Sequence, residues 1–198
     1  MLAQAADTAI STEPWRFQWH PEVWILVAFL TTTFVYMIKV IGPNAVPAGE
    51  PVVSRQNKIA FAGAMGAGLG PMLNHYMSMP GGPSLVMQSL GGTALIFFGL
   101  SAYALQSKRD FSFMGGFLFA GLMIAIVAML ANFFLQIPLL SVTISAVVVM
   151  IMSGLILYDT SRIIHGGETN YIRATVGLYL NIYNLFVHLL SLLGVFGG

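Results

Sequence analysis

The chain has 198 residues, of which 57% are hydrophobic and only 8% are charged, and its mean hydropathy is +0.82. A soluble domain is about 25% charged, so this composition excludes a water-soluble globular protein and indicates an integral membrane protein. The net charge of +1 argues against nucleic acid as a partner, because that interaction needs clustered Lys and Arg. The absence of cysteine excludes disulfides, thiol catalysis and thiolate metal sites.

The first predicted membrane span is the apolar run Val23–Ile41, close to the ~20 residues that cross the hydrocarbon of a bilayer. Residues 1–22 hold an aromatic cluster typical of the membrane interface, and they lack the ordered regions of a secretory signal, so we expect no cleaved signal. Residues 42–58 contain three prolines and are predicted to form a loop.

The second predicted span, Ile59–Met79, is unusually rich in small residues. Gly66 and Gly70 form a GxxxG pair, which lets the backbone of another helix approach closely, so we predict a helix-packing role for both. Asn74 and His75 near the end of this span are interpreted as polar groups at the membrane interface.

Four more apolar runs follow with short connections between them: Ser84–Leu105, Phe113–Leu135, Leu139–Thr160 and Tyr171–Phe196. Six spans with short connections leave no room for a soluble domain. Backbone in lipid must satisfy its own hydrogen bonds, and the sequence shows none of the alternating ten-residue segments of a membrane β-barrel. The predicted fold class is therefore all-α: a polytopic membrane helix bundle with six transmembrane helices.

The basic residues are distributed unevenly between the two sides of this bundle. Only Arg16 lies on one side, and the other seven lie at alternate connections: Lys39, Arg55, Lys58, Lys108, Arg109, Arg162 and Arg173. Because basic residues are retained in the cytoplasm, the sequence predicts that connections 42–58, 106–110 and 163–170 are cytoplasmic. Both termini are then expected outside the cytoplasm.

Asp159 is an acid close to the cytoplasmic end of the fifth predicted span. An ionisable group within a span is by default a functional-site hypothesis. It could pair with Arg162 or Arg173, remain protonated in a low-dielectric site, or contribute oxygens to a cation path. Calcium prefers such hard oxygen ligands. A single acid with amide neighbours would make a weak site, which favours a transient leak over cation storage.

The last predicted helix carries a polar stripe with spacings of four, three, four and three residues, so its members share one face. The stripe consists of Gly177, Asn181, Asn184, His188 and Ser191. Polar side chains are unfavourable against lipid, so this face is predicted to turn inward. Asn184 and His188 could simply form interhelical hydrogen bonds. Together with Asp159 and Asn181, they are our candidates for an ion path or for pH sensing.

No catalytic constellation is visible, and we expect neither enzymatic activity nor a cofactor. The cytoplasmic turn contributes Arg162, His165, Glu168 and Arg173. His165 and Glu168 have the spacing of a metal-binding pair, but they lie in a glycine-broken turn with no third ligand, so no metal site is predicted.

Three stretches of the chain resemble the bacterial branch of the Bax inhibitor (transmembrane Bax-inhibitor-motif) family. They are LGPMLNHY at 69–76, LGGTALIFFGLSAYAL at 90–105, and the run from LYDTSRIIHGGETNYIRA to NIYNLF at 157–186. The resemblance implies a bacterial inner-membrane protein with a central C-terminal helix in a seven-helix fold. Some members of this family act as pH-sensitive calcium leaks. The branch most similar to this chain modulates the membrane-anchored AAA protease FtsH and restrains degradation of membrane proteins.

The chain departs from the family at one site residue. The leak members pair an aspartate at the position of Asp159 with a second aspartate at the position matching Asn181. An asparagine does not titrate, so a proton shared between two carboxylates is not expected here.

The chain also lacks the first two helices of the family. In their place, residues 1–65 resemble the start of a copper-delivery type cytochrome c oxidase assembly factor, through WHPEVWILVA at 19–28, VIGPNAVPAGEPVVSRQ at 40–56 and KIAFAGAM at 58–65. That family's histidine-bearing helices are missing, so no copper is expected. We predict a tail, one span and a loop at 1–65, followed by a five-helix Bax-inhibitor-like domain at 66–198.

Three functions follow as hypotheses. The first is a regulatory protein that binds a membrane-anchored AAA protease, the second is a calcium or cation leak, and the third is an oxidase assembly factor. The lipid bilayer is the expected surrounding in each case. Homo-oligomerisation would cover helix faces that the missing family helices leave open.

Overall fold

The computed structural model describes residue 66 and residues 69–107, 109–168 and 171–197, with the side chains of residues 171–173 left aside. The predicted span Val23–Ile41 and loop 42–58 lie outside these residues, and so does the predicted change of domain at residue 65. Those three expectations remain predictions.

The described chain is helical throughout its long elements, and no strand occurs in the ranges given above. A helical segment at 69–77 (α1) is followed by four long helices: α2 (Gly82–Ser107), α3 (Gly115–Leu135), α4 (Pro138–Ile164) and α5 (Tyr171–Phe196). A short 3-10 turn at Ser112–Met114 precedes α3. The all-helical prediction is confirmed, and α2 to α5 contain four segments long and apolar enough to cross a membrane. The six predicted spans are not all shown, because residue 66 and residues 69–79 are the only described part of the first two.

The predicted end of the fifth span, Thr160, was too early, since α4 continues to Ile164. The reason is that Arg162 remains in the last helical turn, where its guanidinium donates a hydrogen bond to the carbonyl of Gly167 at 2.8 Å. At its other end, α4 begins with Pro138, a residue that suits the first turn of a helix.

The end of α3 is closed by a cap that involves one buried amide. Gln136 adopts a left-handed conformation with φ of 51° and ψ of 42°. The side-chain oxygen of Asn132 then accepts a hydrogen bond from the backbone N–H of Ile137 at 3.1 Å. This arrangement satisfies backbone groups that the helix end would otherwise leave unpaired.

The C-terminal helix α5 lies at the centre of the bundle, as the family resemblance implies. In its most apolar stretch 61% of the residues are buried, against 17% in α2. One core, shared by α3, α4 and α5, includes Leu122, Val148 and Leu185. A second core, shared by α1, α2 and α5, includes Tyr76, Leu85 and Val187. Helix α5 therefore separates two apolar clusters and carries its polar stripe between neighbouring helices.

Close helix packing occurs at glycines other than the predicted GxxxG pair. A Cβ atom at Gly154 of α4 would lie 2.6 Å from Leu118 Cδ2, and one at Gly92 of α2 would lie 2.8 Å from Leu189 Cδ2. Gly66 and Gly70 are exposed, and a Cβ atom at either would have nothing within 4 Å in the described chain.

The orientation of α1 explains why Gly70 makes no such contact. This segment buries Met72, and Gly70 lies two residues earlier, about 200° around the helix. A packing role for Gly66 and Gly70 thus stays a prediction about partners beyond the described residues.

Candidate functional site

Asp159 and Asn181 meet at the interface between α4 and α5. The side-chain amide of Asn181 donates a hydrogen bond to Asp159 Oδ2 at 3.0 Å. The two residues are only 4% and 2% exposed, so the contact is shielded from solvent. The structure therefore brings together the acid and the amide whose positions the family resemblance had linked. It positions the amide of Asn181 where the leak members are expected to carry a second carboxylate.

A second polar contact links the same two helices further from the α4–α5 turn. His188 Nδ1 lies 3.3 Å from the hydroxyl of Ser145, with exposures of 0% and 3%. Ser145 was not predicted as a site residue. It precedes Asp159 by two heptads on one face of α4, a spacing that could have indicated it. Met152, midway between them, is buried.

Asn184 lies between these two contacts on α5 and is fully buried. Its side-chain amide donates to the carbonyl of Leu180, within its own helix, at 3.1 Å. Its side-chain oxygen has no hydrogen-bond partner in the described part of the chain. His188 thus forms the interhelical contact considered from the sequence, whereas the bond of Asn184 is local.

The predicted turn residues form one compact structure at the end of α4. Beyond its bond to Gly167, Arg162 lies 3.8 Å from a carboxylate oxygen of Glu168 and 5.5 Å from the ring centre of Tyr158. His165 Nδ1 lies 2.9 Å from the backbone carbonyl of Ser161. Arg173 falls among the residues whose side chains are not described. We call this region, with residues 109–111 of the α2–α3 connection, the turn end.

Ser161 fastens the α2–α3 connection to α4, a role that the sequence did not reveal. Its hydroxyl accepts a hydrogen bond from the N–H of Phe111 at 2.9 Å and donates to the carbonyl of Arg109 at 3.3 Å. No local pattern marks a serine for contacts 50 residues away. The bonds place two basic connections at one end of the bundle, as the charge distribution predicted; which side of the membrane they face stays a prediction.

Asp110 is an exposed acid in this connection. Its carboxylate accepts a hydrogen bond from the backbone N–H of Ser112 at 2.8 Å. The hydrogen bonds from Ser112 hold the pKa of Asp110 below its ordinary value of 3.8.

The His, Asp and Glu side chains of the described chain are the groups that could form a metal site. Within the described ranges, His, Asp and Glu side chains nowhere form a group of three that could hold a metal ion. His165 and Glu168 contact the backbone and Arg162 respectively, which gives the pair a structural role in the turn.

Comparison with known proteins identifies the family. A family model described as "Inhibitor of apoptosis-promoting Bax1" matches residues 1–198. The chain belongs to the Bax inhibitor family. Among its Bax inhibitor relatives, an uncharacterized membrane protein of Vibrio cholerae is 57% identical over 135 residues, which are 68% of this chain and 60% of that protein. The modulator of FtsH protease YccA of Escherichia coli K12 is also 57% identical over 135 residues, 68% of this chain and 61% of that protein.

A more distant Bax inhibitor relative, an uncharacterized protein of Pseudomonas aeruginosa, is 50% identical over 139 residues, 70% of this chain and 63% of that protein. The chain spans about three fifths of the length of the curated relatives it matches. The predicted family is therefore confirmed, while the likeness of residues 1–65 to an oxidase assembly factor stays a prediction.

Proposed function

We propose that this Bax inhibitor family protein is a bacterial inner-membrane regulator that modulates a membrane-anchored AAA protease of the FtsH type. The observation that carries the proposal is its 57% identity, over 135 residues, to the Escherichia coli modulator of FtsH protease YccA. The described chain adds support, because short connections join α2 to α5 and a partner of this part of the chain would contact its membrane surface or its turns.

The described surface suits a partner that lies in the bilayer. Phe117 and Phe134 of α3 and Leu95 of α2 are each more than three quarters exposed. Such side chains face lipid or another membrane helix. Charged groups of the described chain gather instead at the turn end, where Arg162 and Glu168 meet. A membrane protease can be contacted through either surface without a soluble domain.

The experiment uses bacterial membranes from which the resident modulator of this type has been removed. The full chain, carrying a tag, is expected to co-purify with the FtsH-type protease in mild detergent and to slow the turnover of a membrane substrate. Turnover of a soluble substrate serves as the control for protease abundance. A chain that neither associates with the protease nor slows membrane-substrate turnover contradicts the proposal.

A cation leak is the second candidate, favoured by one observation: Asp159 is buried in a span and bonded to Asn181. Calcium-loaded vesicles containing the purified chain would show efflux that falls in Asp159→Asn. Asn181→Asp restores paired carboxylates and is expected to make the efflux more dependent on pH. Gln88→Leu on α2, an exposed position outside the pair, is the matched control. Equal efflux from Asp159→Asn and the unaltered chain excludes Asp159 from any such path.

The oxidase-assembly alternative rests on residues 1–65 alone. No observation in the described part of the chain favours it over the two functions above, and we do not propose it.

A further inference from the structure

Asn184 occupies the middle of the polar face of α5. Asn181 lies three residues before it and His188 four residues after it, so both are neighbours one helical turn away. Asn181 belongs to the contact with Asp159, and His188 to the contact with Ser145. Asn184 is therefore the polar residue between two buried pairs on the same helix interface.

The orientation of the Asn184 amide is fixed by its own helix. Its nitrogen donates to Leu180 O at 3.1 Å. Turning the amide over would place two oxygens face to face, because a carbonyl can only accept. The side-chain oxygen must then point away from Leu180. There it is buried, and no described residue offers it a hydrogen bond. A buried acceptor in that position is unfavourable unless some donor reaches it.

We propose that the side-chain oxygen of Asn184 binds one internal water molecule. Water supplies the donor that this oxygen requires, and buried waters make about three hydrogen bonds to polar groups. Neighbouring side chains one helical turn apart have Cβ atoms roughly 5–6 Å apart. Two hydrogen bonds in series through one water, each about 2.8 Å, cover that distance. Asn181 and His188 thus provide polar groups within reach on either side.

Other occupants fit this position less well. A hard cation such as calcium takes about 6–8 oxygen ligands, and a single neutral amide oxygen cannot replace its hydration shell. A lipid chain has no hydrogen to donate. Water is therefore the occupant that donates the hydrogen bond this oxygen requires.

The bound water lies between the two polar pairs. Asn181 and His188 are seven positions apart on α5, about 10.5 Å along the helix, so one water bonded to Asn184 bridges to at most one of them. Asp159–Asn181 and Ser145–His188 remain separate contacts on either side of buried Met152.

The direct test is nuclear magnetic resonance of the full chain in lipid nanodiscs with labelled asparagine side chains. The Asn184 side-chain amide protons are expected to show cross-relaxation with a long-lived water. Asn184→Gln, which keeps an amide but displaces it by one methylene, assigns the resonance. A folded, unaltered chain with no water cross-relaxation at Asn184 overturns the proposal, whether or not any variant folds.

A second measurement compares two buried asparagines. Asn132→Leu removes an oxygen that accepts a hydrogen bond from a known protein donor, the N–H of Ile137. The change in thermal midpoint of this variant is the reference. Asn184→Leu is expected to lower the thermal midpoint similarly, by about 2–4 °C, because the water loses its acceptor. A midpoint that rises in Asn184→Leu shows that the oxygen has no donor in the folded protein, and it overturns the proposal.

Discussion

Helices α2 and α5 show how differently two spans of equal length can be used. Both contain 26 residues, and their most apolar stretches have the same mean hydropathy. Nevertheless α5 is buried over most of its span, whereas α2 is mostly exposed. Average apolarity thus shows that a helix can cross a membrane, but it does not show whether the helix faces lipid or protein.

The polar groups distinguish the two helices. On α2, the hydroxyls of Ser89 and Thr93 donate to carbonyls four residues back, at 2.8 and 2.7 Å. Such local bonds need no second helix. On α5, Asn181 and His188 contact side chains of α4. The amide of Asn181 and the imidazole of His188 find their partners on another helix, and such contacts favour a central position for α5.

Removing the hydrogen bond between Asn181 and Asp159 is expected to have the largest effect on the unfolding free energy. Asn181→Leu takes a hydrogen bond from the buried carboxyl of Asp159, and we expect unfolding free energy in detergent to fall by about 2–3 kcal/mol. Adding Asp159→Leu should recover part of that loss, because the group left without its donor is then also gone. Strictly additive effects of the two substitutions would show that the contact stabilises nothing.

The same substitution at two adjacent glycines of α2 tests the buried face and the exposed face of this helix separately. Gly92→Leu drives a side chain into Leu189 of α5 and is expected to lower the unfolding free energy by about 1–3 kcal/mol. Gly91→Leu, where a Cβ atom would have nothing within 4 Å, should change it by less than about 0.5 kcal/mol. Equal losses at both positions would contradict the assignment of the buried face.

Replacing a polar residue by leucine on α5 and on α2 tests the same difference in burial between the two helices. His188→Leu removes the contact with Ser145 and is expected to lower the unfolding free energy by about 1 kcal/mol. Gln88→Leu on α2 removes only an exposed bond to Ser84, one turn away, and should stay within about 0.5 kcal/mol. A larger loss in Gln88→Leu would mean that this face of α2 is covered by protein.

The smallest expected effect concerns Asp110, an exposed acid in the connection after α2, in contrast to Asp159, which is buried against α5. Because hydrogen bonds from Ser112 lower the pKa of Asp110, its carboxylate stabilises the fold above its unfolded-state pKa. That contribution is lost as pH falls through the lowered folded-state pKa. The carboxyl resonance should titrate below 3.8 in the unaltered chain and shift upward in Ser112→Pro, which has no N–H to donate. A midpoint at or above 3.8 in the unaltered chain contradicts the hydrogen bond.

The sequence predicted the helices and the buried face of α5 because both depend on local spacing. Apolar runs located four described spans, and the bounds Tyr171–Phe196 agree with α5. The stripe containing Asn181 and His188 turned inward as predicted, since polar groups avoid lipid. The proximity of Asn181 and Asp159 was indicated by the family resemblance, in which the two matching positions form a pair.

Features that depend on distant parts of the chain could not be predicted. Ser161 finds its partners 50 and 52 residues away, and nothing in its immediate neighbours marks these contacts. Ser145, whose partner lies 43 residues away, is marked only by its two-heptad spacing from Asp159. Within the described chain, close approaches occur at Gly92 and Gly154 among other glycines, while a packing role for Gly66 and Gly70 stays a prediction. Small residues permit close packing anywhere along a helix, and the neighbouring helices decide where it happens.

The bonds of Ser161 set an order of events during biosynthesis. The groups it binds, the N–H of Phe111 and the carbonyl of Arg109, are synthesised about 50 residues earlier. Until α4 has been made and inserted, those two backbone groups have no such anchor. The α2–α3 connection therefore reaches its final arrangement only after α4 is in place, so a Phe111 N–H without its serine partner would report a chain whose later half had failed to insert.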